Sequence, residues 1–295
     1  MMHHARLQPF LGRRRVLRLA FLGLSSWPLS RLAARQSTLA TAPLEVSGNW
    51  PGSLPGDVRA VIERTRSACL ADLPLLSDRQ PTILRIENRP AGHPAIWLHS
   101  DGAALAWIVV NVGPRDWCKL AYQCGHELGH VLANSWQPDA KPAAPSQWLE
   151  ECVAEAFSLR GLRLLAEGWA RTPPFPNDHA FARAILDYRA DLLARYGETA
   201  TAQGIRRGSR GWFAARRNEL EQIGRATSAP GALVPMLLAT LEADNDCAAD
   251  IGALNRWPGR TALALPAYLD AWSSSCRALG SRGRLPENLR RALLD

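Results

Sequence analysis

The sequence predicts an α+β protein with a small β-sheet and helices in its N-terminal lobe and a mostly helical C-terminal lobe. Two observations support this fold class. Short apolar runs of strand length occur between residues 82 and 111. Helical spacing of apolar residues follows, and beyond Pro173-Pro174 it continues to the end of the chain. The chain has 295 residues, of which 47% are hydrophobic, so it can bury a sizeable core in one or two domains.

The N-terminal lobe is predicted to begin with a helix over residues 55–73, because its apolar residues recur on one side. Strands are expected at residues 82–87, 95–99 and 104–111, and the third is the most apolar. Ser100-Asp101-Gly102 is a turn signal between the last two strands. This order predicts a helix followed by a small sheet.

Two longer helices are expected after the sheet. Asp116 is placed to cap the first, which extends to about residue 135. A proline-rich break at residues 138–145 separates it from the second, predicted over residues 146–169. Further helices are predicted at residues 178–196, 210–223, 230–243, 262–278 and 286–294. The resulting regions are 55–170, with the sheet and the two long helices, and 171–295, the helical lobe.

The first forty residues have the pattern of an export signal. Arg13-Arg14-Arg15 precede an apolar run over residues 16–27. Residues 12–18 also resemble the twin-arginine export motif. We therefore expect a periplasmic or secreted protein, anchored in the membrane if the signal stays uncleaved. Residues 36–56 are rich in Ser, Thr, Pro and Gly, and residues 41–54 within them are expected to form a linker.

The distribution of charge argues against a nucleic-acid-binding protein. The formal net charge is +8, but residues 1–40 contain seven arginines and no acidic residue. Removing those seven charges from +8 leaves +1 for the remaining 255 residues. A nearly neutral folded part offers no basic face for a polyanion.

Six cysteines fit an oxidising compartment, where an even number allows up to three disulfides. Cys118 and Cys124 are expected to share one helix on different faces, which makes a bridge between them unfavourable. Cys247 with Cys276 is the first pair we expect. The alternative is that the cysteines are free and buried.

The strongest chemical signal is Gly125-His126-Glu127-Leu128-Gly129-His130. Residues four apart share a helix face, so the imidazoles of His126 and His130 can reach one ion. Zn²⁺ accepts imidazole nitrogens, and Glu127 is placed to take a proton from an attacking water. The alternative is a fortuitous surface pattern, so a third ligand should be sought.

The segment Trp148-Leu149-Glu150-Glu151-Cys152-Val153-Ala154-Glu155 supplies that ligand, and here the chain resembles the gluzincins. These zinc metallopeptidases carry His-Glu-x-x-His on one helix and a ligand Glu, often within Trp-Leu-x-Glu-Gly-x-Ala, on the next. The resemblance places Glu151 at the ligand position and Glu155 where an acid orients the first histidine. The two glutamates share a helix face, which supports this assignment. Glu150 is the alternative ligand, but Ala154 follows it four residues on.

The resemblance covers roughly residues 55–170 and implies a zincin-like fold that hydrolyses peptides with Glu127 as general base. It also implies that an extended substrate pairs with an edge strand, such as residues 95–99. His179, Tyr188 and Tyr196 are candidates to stabilise the oxyanion, although none lies in a recognisable motif.

Two departures from the family pattern matter. Cys152 stands where glycine usually follows the ligand, and the upstream Gly-x-Met-Glu-Asn sequence of aminopeptidase members is missing. An endopeptidase is therefore the better prediction. The alternatives are an inactive zincin-fold protein of the cell envelope that binds metal or a partner, and a membrane-anchored interaction protein with an accidental motif. Retention of Glu127 argues against the inactive protein, since a structural site has no use for a base.

Overall fold

The computed structural model describes residues 38–99, 104–222 and 230–295, which form a small mixed sheet, ten α-helices and four short 3-10 helices. The strands are β1 (Leu44–Gly48), β2 (Ile83–Asn88), β3 (Ala95–Ile96) and β4 (Leu105–Val110). The helices are α1 (Thr38–Thr41), α2 (Pro55–Cys69), α3 (Trp117–Leu132), α4 (Gln147–Arg171), α5 (Phe181–Ala202), α6 (Ser209–Gln222), α7 (Val234–Ala243), α8 (Asn245–Ala249), α9 (Leu265–Ala278) and α10 (Arg284–Leu293).

The strand order in the sheet is β1-β2-β4-β3. The first three of these pair in parallel, with Val46 opposite Ile86 and Ile86 opposite Ile108. The edge strand β3 runs antiparallel to β4. Ile86 and Ile108 are fully buried, because the central strands carry apolar side chains into the core beneath the helices. The protein is thus α+β, as predicted.

Two glycines permit close helix packing, one between α3 and α4 and the other between α4 and α2. A Cβ atom added at Gly129 of α3 would lie 3.1 Å from the Cα of Ala154, so a larger residue would push the helices apart. On α4, a Cβ at Gly161 would lie 2.3 Å from the Sγ of Cys69, where α2 crosses. The fully buried Trp148 and Phe157 fill the core on the same helix. The two long helices are therefore held in a fixed relative position.

Several sequence predictions need correction or fall outside the described residues. Strand β1 lies within residues 41–54, so the prediction of a linker there is wrong. The strand has only five residues and turn-forming residues flank it, so its alternating pattern was too short to recognise in the sequence. Asp116 precedes α3 as predicted, but its side chain makes no capping hydrogen bond. The export signal and the turn at residues 100–102 cannot be compared, because residues 1–37 and 100–103 are not described. In the described ranges, no helix is both long and apolar enough to cross a membrane.

Cys247 and Cys276 do not form a disulfide, so the predicted bridge between them is wrong. Both side chains are fully buried in the helical part of the core. Burial raises the pKa of the Cys247 thiol to about 12, because a thiolate is poorly solvated there. The cysteines act as small core residues, which was the alternative considered from the sequence.

Candidate metal centre

Two histidines of α3 and one glutamate of α4 bring three ligand atoms together. The Nε2 atoms of His126 and His130 lie 3.2 Å apart. The Oε2 atom of Glu151 lies 3.4 Å from the first and 3.3 Å from the second. In the described part of the chain, this is the group of His, Cys, Asp and Glu side chains whose ligand atoms are close enough to share a metal ion.

The triangle has the dimensions that a tetrahedral ion needs. Bonds of about 2.0 Å at tetrahedral angles separate two ligand atoms by about 3.3 Å. The three edges of 3.2, 3.3 and 3.4 Å agree with that separation. Two imidazoles and one carboxylate are also a donor set that Zn²⁺ accepts, and three protein ligands leave a fourth position open. The residues present therefore fit a zinc ion.

The carboxylate of Glu155 lies behind His126. Its Oε2 atom is buried, 3.7 Å from Nδ1 of His126, and makes no hydrogen bond in the described structure. Its Oε1 atom accepts hydrogen bonds from Tyr122 at 2.6 Å and Tyr196 at 2.7 Å. The two tyrosines fix the position of Glu155, and its other oxygen faces Nδ1 of His126.

The carboxylate of Glu150 lies behind His130 instead of at the ligand triangle. Its Oε1 atom is 2.8 Å from Nδ1 of His130. Its Oε2 atom accepts a hydrogen bond from the side-chain amide of Asn255 at 2.7 Å. The hydroxyl of Tyr268 donates to Asn255 Oδ1 at 3.0 Å, so the amide has a defined orientation. Each histidine thus directs Nε2 to the triangle and Nδ1 to its own carboxylate.

Glu151 is held by its own helix. The side-chain amide of Gln147, one turn earlier on α4, donates to Oε1 of Glu151 at 2.9 Å. This contact leaves Oε2 facing the two imidazoles. Gln147, Glu151 and Glu155 follow each other at four-residue spacing, which places all three on one face of the helix.

Charge is concentrated strongly at this centre. Burial alone lowers the pKa of His126, but the negative charge of Glu155 and the contact with Glu151 outweigh it and raise the pKa to about 10. Burial raises the pKa of Glu151. The neighbouring His130 and His126 outweigh this effect and bring the pKa below its ordinary value. The carboxylates thus attract positive charge, and a cation bound at the Nε2 atoms would take the place of the histidine protons.

Glu127 lies next to His126 on α3 and is only 4% exposed. Burial raises the pKa of its carboxyl group, and the positive histidines partly counteract that rise. A raised pKa makes a carboxylate a stronger base, which suits a group that must accept and then release a proton.

The three oxyanion candidates have different positions. Tyr196 donates its hydroxyl proton to Glu155, next to the metal centre. Tyr188 contacts the ring of Tyr122 edge-on, at 6.0 Å between centroids. His179 lies away from the ligands, where its Nδ1 is 2.9 Å from the carbonyl of Ala170 near the end of α4. The structure brings the two tyrosines towards the centre and leaves His179 outside it.

Four supporting residues were missed from the sequence, and one of them, Gln147, precedes Glu151 by four residues on α4. Tyr122 could have been found, because it precedes His126 by four residues and therefore shares its helix face. Asn255 and Tyr268 have no such signal, since Asn255 reaches Glu150 across 105 residues and Tyr268 acts through its hydrogen bond to Asn255. Comparison with protein-family models, curated proteins and solved structures gives no significant match for this chain.

Replacement of Asn255 by glycine is expected to weaken zinc binding by at most about tenfold, the lower end of the usual effect of removing a partner that orients a ligand, because Asn255 acts on His130 only through Glu150. Glycine suits this position because Asn255 has φ +56°, which glycine adopts without strain. The variant Asn111→Gly, at a side chain that donates to the Gly92 carbonyl, serves as control. Competition with a chromogenic chelator measures the affinity, and an unchanged value for Asn255→Gly would contradict a role in orienting Glu150 and His130.

Proposed function

We propose that this protein is an exported zinc metallopeptidase with a zincin-like fold of the gluzincin type, and that it cleaves within peptide chains. The observation that carries the proposal is the ligand triangle of His126, His130 and Glu151, with Glu127 adjoining it on α3. The spacing fits a tetrahedral ion with an open position, and the adjacent carboxyl group provides a base. The arginine-rich, then apolar, N-terminal sequence supports export.

The chain's own residues divide the work of peptide hydrolysis. When bound, zinc would polarise the scissile carbonyl and lower the pKa of a water molecule. Glu127 accepts the proton of the attacking water and delivers it to the leaving amine, which is general base and then general acid catalysis. Glu150 holds the His130 ring through its 2.8 Å contact with Nδ1, and the charge of Glu155 faces Nδ1 of His126.

An edge strand is available for the substrate. Strand β3 has β4 on one side, and an extended peptide could add to its other side through backbone hydrogen bonds. Because the strand contains only two residues, the pairing must be short and side-chain pockets must contribute to specificity.

Removal and return of the metal test this proposal. Treatment with a chelator is expected to abolish hydrolysis of casein, and about one equivalent of Zn²⁺ per chain is expected to restore it. Zinc binding should also stabilise the fold by about 2.7 kcal/mol when free zinc is at about 100 times its Kd, which thermal unfolding can measure. Mg²⁺ serves as the control ion, since it prefers oxygen ligands.

Two outcomes would contradict the proposal. Hydrolysis that persists after complete removal of the metal would exclude zinc from the reaction. Stoichiometric zinc binding without cleavage of casein or of a peptide library would favour the inactive metal-binding protein considered from the sequence.

A further inference from the structure

Polar side chains are buried behind His130, on the Nδ1 side of its ring and away from the ligand triangle. They form a rear polar cluster that joins the end of α3 to the part of the chain that follows α8, and its members are Asn134, Ser135, Asn255, Arg260 and Tyr268. Asn134, Asn255 and Tyr268 are at most 1% exposed. Burial of polar groups is unfavourable unless they are hydrogen-bonded, so the bonds of this cluster indicate what it holds in place.

Ser135 lies at the centre of the rear polar cluster. Its Oγ atom accepts a hydrogen bond from Nη2 of Arg260 at 2.9 Å and another from the side-chain amide of Asn255 at 3.1 Å. The same amide donates to Oε2 of Glu150 at 2.7 Å, so both N–H groups of Asn255 are used. The other oxygen of Glu150 is 2.8 Å from Nδ1 of His130. One chain of hydrogen bonds therefore leads from Ser135 to a metal ligand.

The backbone of Ser135 contacts the same histidine directly. Helix α3 is followed by Asn134 in the left-handed conformation, at φ +63°, and the N–H of Ser135 then donates to the carbonyl of His130 at 2.9 Å. This bond belongs to a Schellman motif, a common way to end a helix after a left-handed residue. Nη2 of Arg260 also donates to the carbonyl of Asn134 at 2.7 Å, which fixes the turn from outside the helix. Ser135 is thus connected to His130 through both its backbone and its side chain.

Arg260 makes these contacts from a strained backbone. Its φ value is +44°, in the left-handed region that glycine adopts freely and arginine rarely adopts. Strain of this kind persists where the surrounding contacts fix the residue, and both contacts of Nη2 are to the turn that ends α3. The guanidinium is therefore directed at Ser135 by the fold around it.

We propose that Ser135 is a positioning residue for the metal centre: its hydroxyl oxygen, fixed by Arg260, orients the Asn255 amide and thereby the carboxylate that holds His130. The proposal rests on zinc binding at the ligand triangle, which the proposed function requires, but it does not depend on peptide hydrolysis. It also gives the part of the chain that follows α8 a role in metal binding.

The zinc affinity of full-length Ser135→Ala protein tests the proposal, because this substitution removes one hydroxyl and changes no charge. The affinity is expected to fall by about threefold to fivefold, below the usual effect of removing a direct partner of a ligand, because Ser135 acts through two other residues. Ser135→Thr retains a hydroxyl, so its zinc affinity should equal that of the wild type. Competition with a chromogenic chelator measures these affinities.

Ser275→Ala is the matched control. Oγ of Ser275 accepts a hydrogen bond from Nη1 of Arg256 at 3.0 Å, as Oγ of Ser135 does from Arg260, but Arg256 pairs with Asp78 on the surface. Both alanine variants should lower the thermal stability of the zinc-free protein, because each leaves an arginine donor without its acceptor. Only Ser135→Ala should also lower the zinc affinity, since a purely structural serine would change the stability alone.

A double variant tests the path of hydrogen bonds. Ser135→Ala combined with Asn255→Gly should bind zinc as tightly as Asn255→Gly alone, because both changes interrupt the same path. Losses of affinity that multiply in the double variant, or equal affinities of Ser135→Ala and the wild type, would overturn the proposal. Zinc binding with the expected dependence on Ser135, but without peptide cleavage, would support the proposal and contradict the peptidase function. A wild-type protein that binds no zinc would overturn both.

Discussion

Glu127→Gln is expected to lower kcat for peptide hydrolysis by about 10²–10⁴-fold, the usual contribution of a positioned general base. Glutamine preserves the size of this buried side chain, so the core around α3 is retained. Because Glu127 is not among the three ligands, the variant should still bind one zinc ion per chain with little change in affinity. Initial rates on a peptide substrate and zinc content after gel filtration measure the two effects together.

The matched control is Glu63→Gln, at an exposed residue of α2 whose ion pair with Arg59 is long, at 3.9 Å. This variant should keep wild-type kcat and zinc content, since an exposed pair contributes little. Full activity in Glu127→Gln would contradict the mechanism. Loss of zinc together with loss of activity would show that Glu127 supports metal binding instead of proton transfer.

The sequence was most informative where the functional residues recur at the spacing of one helix turn. Four-residue spacing placed His126 and His130 on one face of α3, and Glu151 and Glu155 on one face of α4. The structure brings these four side chains together. The long helices were predicted for the same reason, because their apolar residues repeat the same spacing over many turns.

The sequence was least informative where a contact joins distant segments or an element is short. Asn255 reaches Glu150 across 105 residues, and no local pattern marks such a contact. Strand β1 has five residues and forms through its pairing with β2. Glu150 shows a further limit, because adjacent helix residues point in directions about 100° apart and only the arrangement of α3 and α4 decides which one faces the ion.

Glu151→Ala and Glu150→Ala are expected to differ in their effects on zinc, although the residues are neighbours on α4. Removal of a partner that orients a ligand lowers metal affinity by about 10–100-fold. Loss of Glu151 removes one of the three ligand atoms themselves, so the zinc affinity should fall further than that. Loss of Glu150 leaves the three ligand atoms in place and frees the His130 ring, so its effect should stay within that range. Chelator competition gives both affinities.

Comparison of these two variants shows which glutamate of α4 is the metal ligand. A larger loss of affinity in Glu150→Ala than in Glu151→Ala would assign Glu150 as the ligand and require a different rotation of α4 against α3. Such a rotation would remove Glu155 from His126, because Glu155 shares its helix face with Glu151. Conversely, Glu151→Ala could have the larger effect, and Glu155→Ala could also weaken zinc binding. That result would show that Glu151 and Glu155, one turn apart on α4, both support binding of the same ion. The expected order of zinc affinity is therefore wild type first, Glu150→Ala and Glu155→Ala next, and Glu151→Ala last.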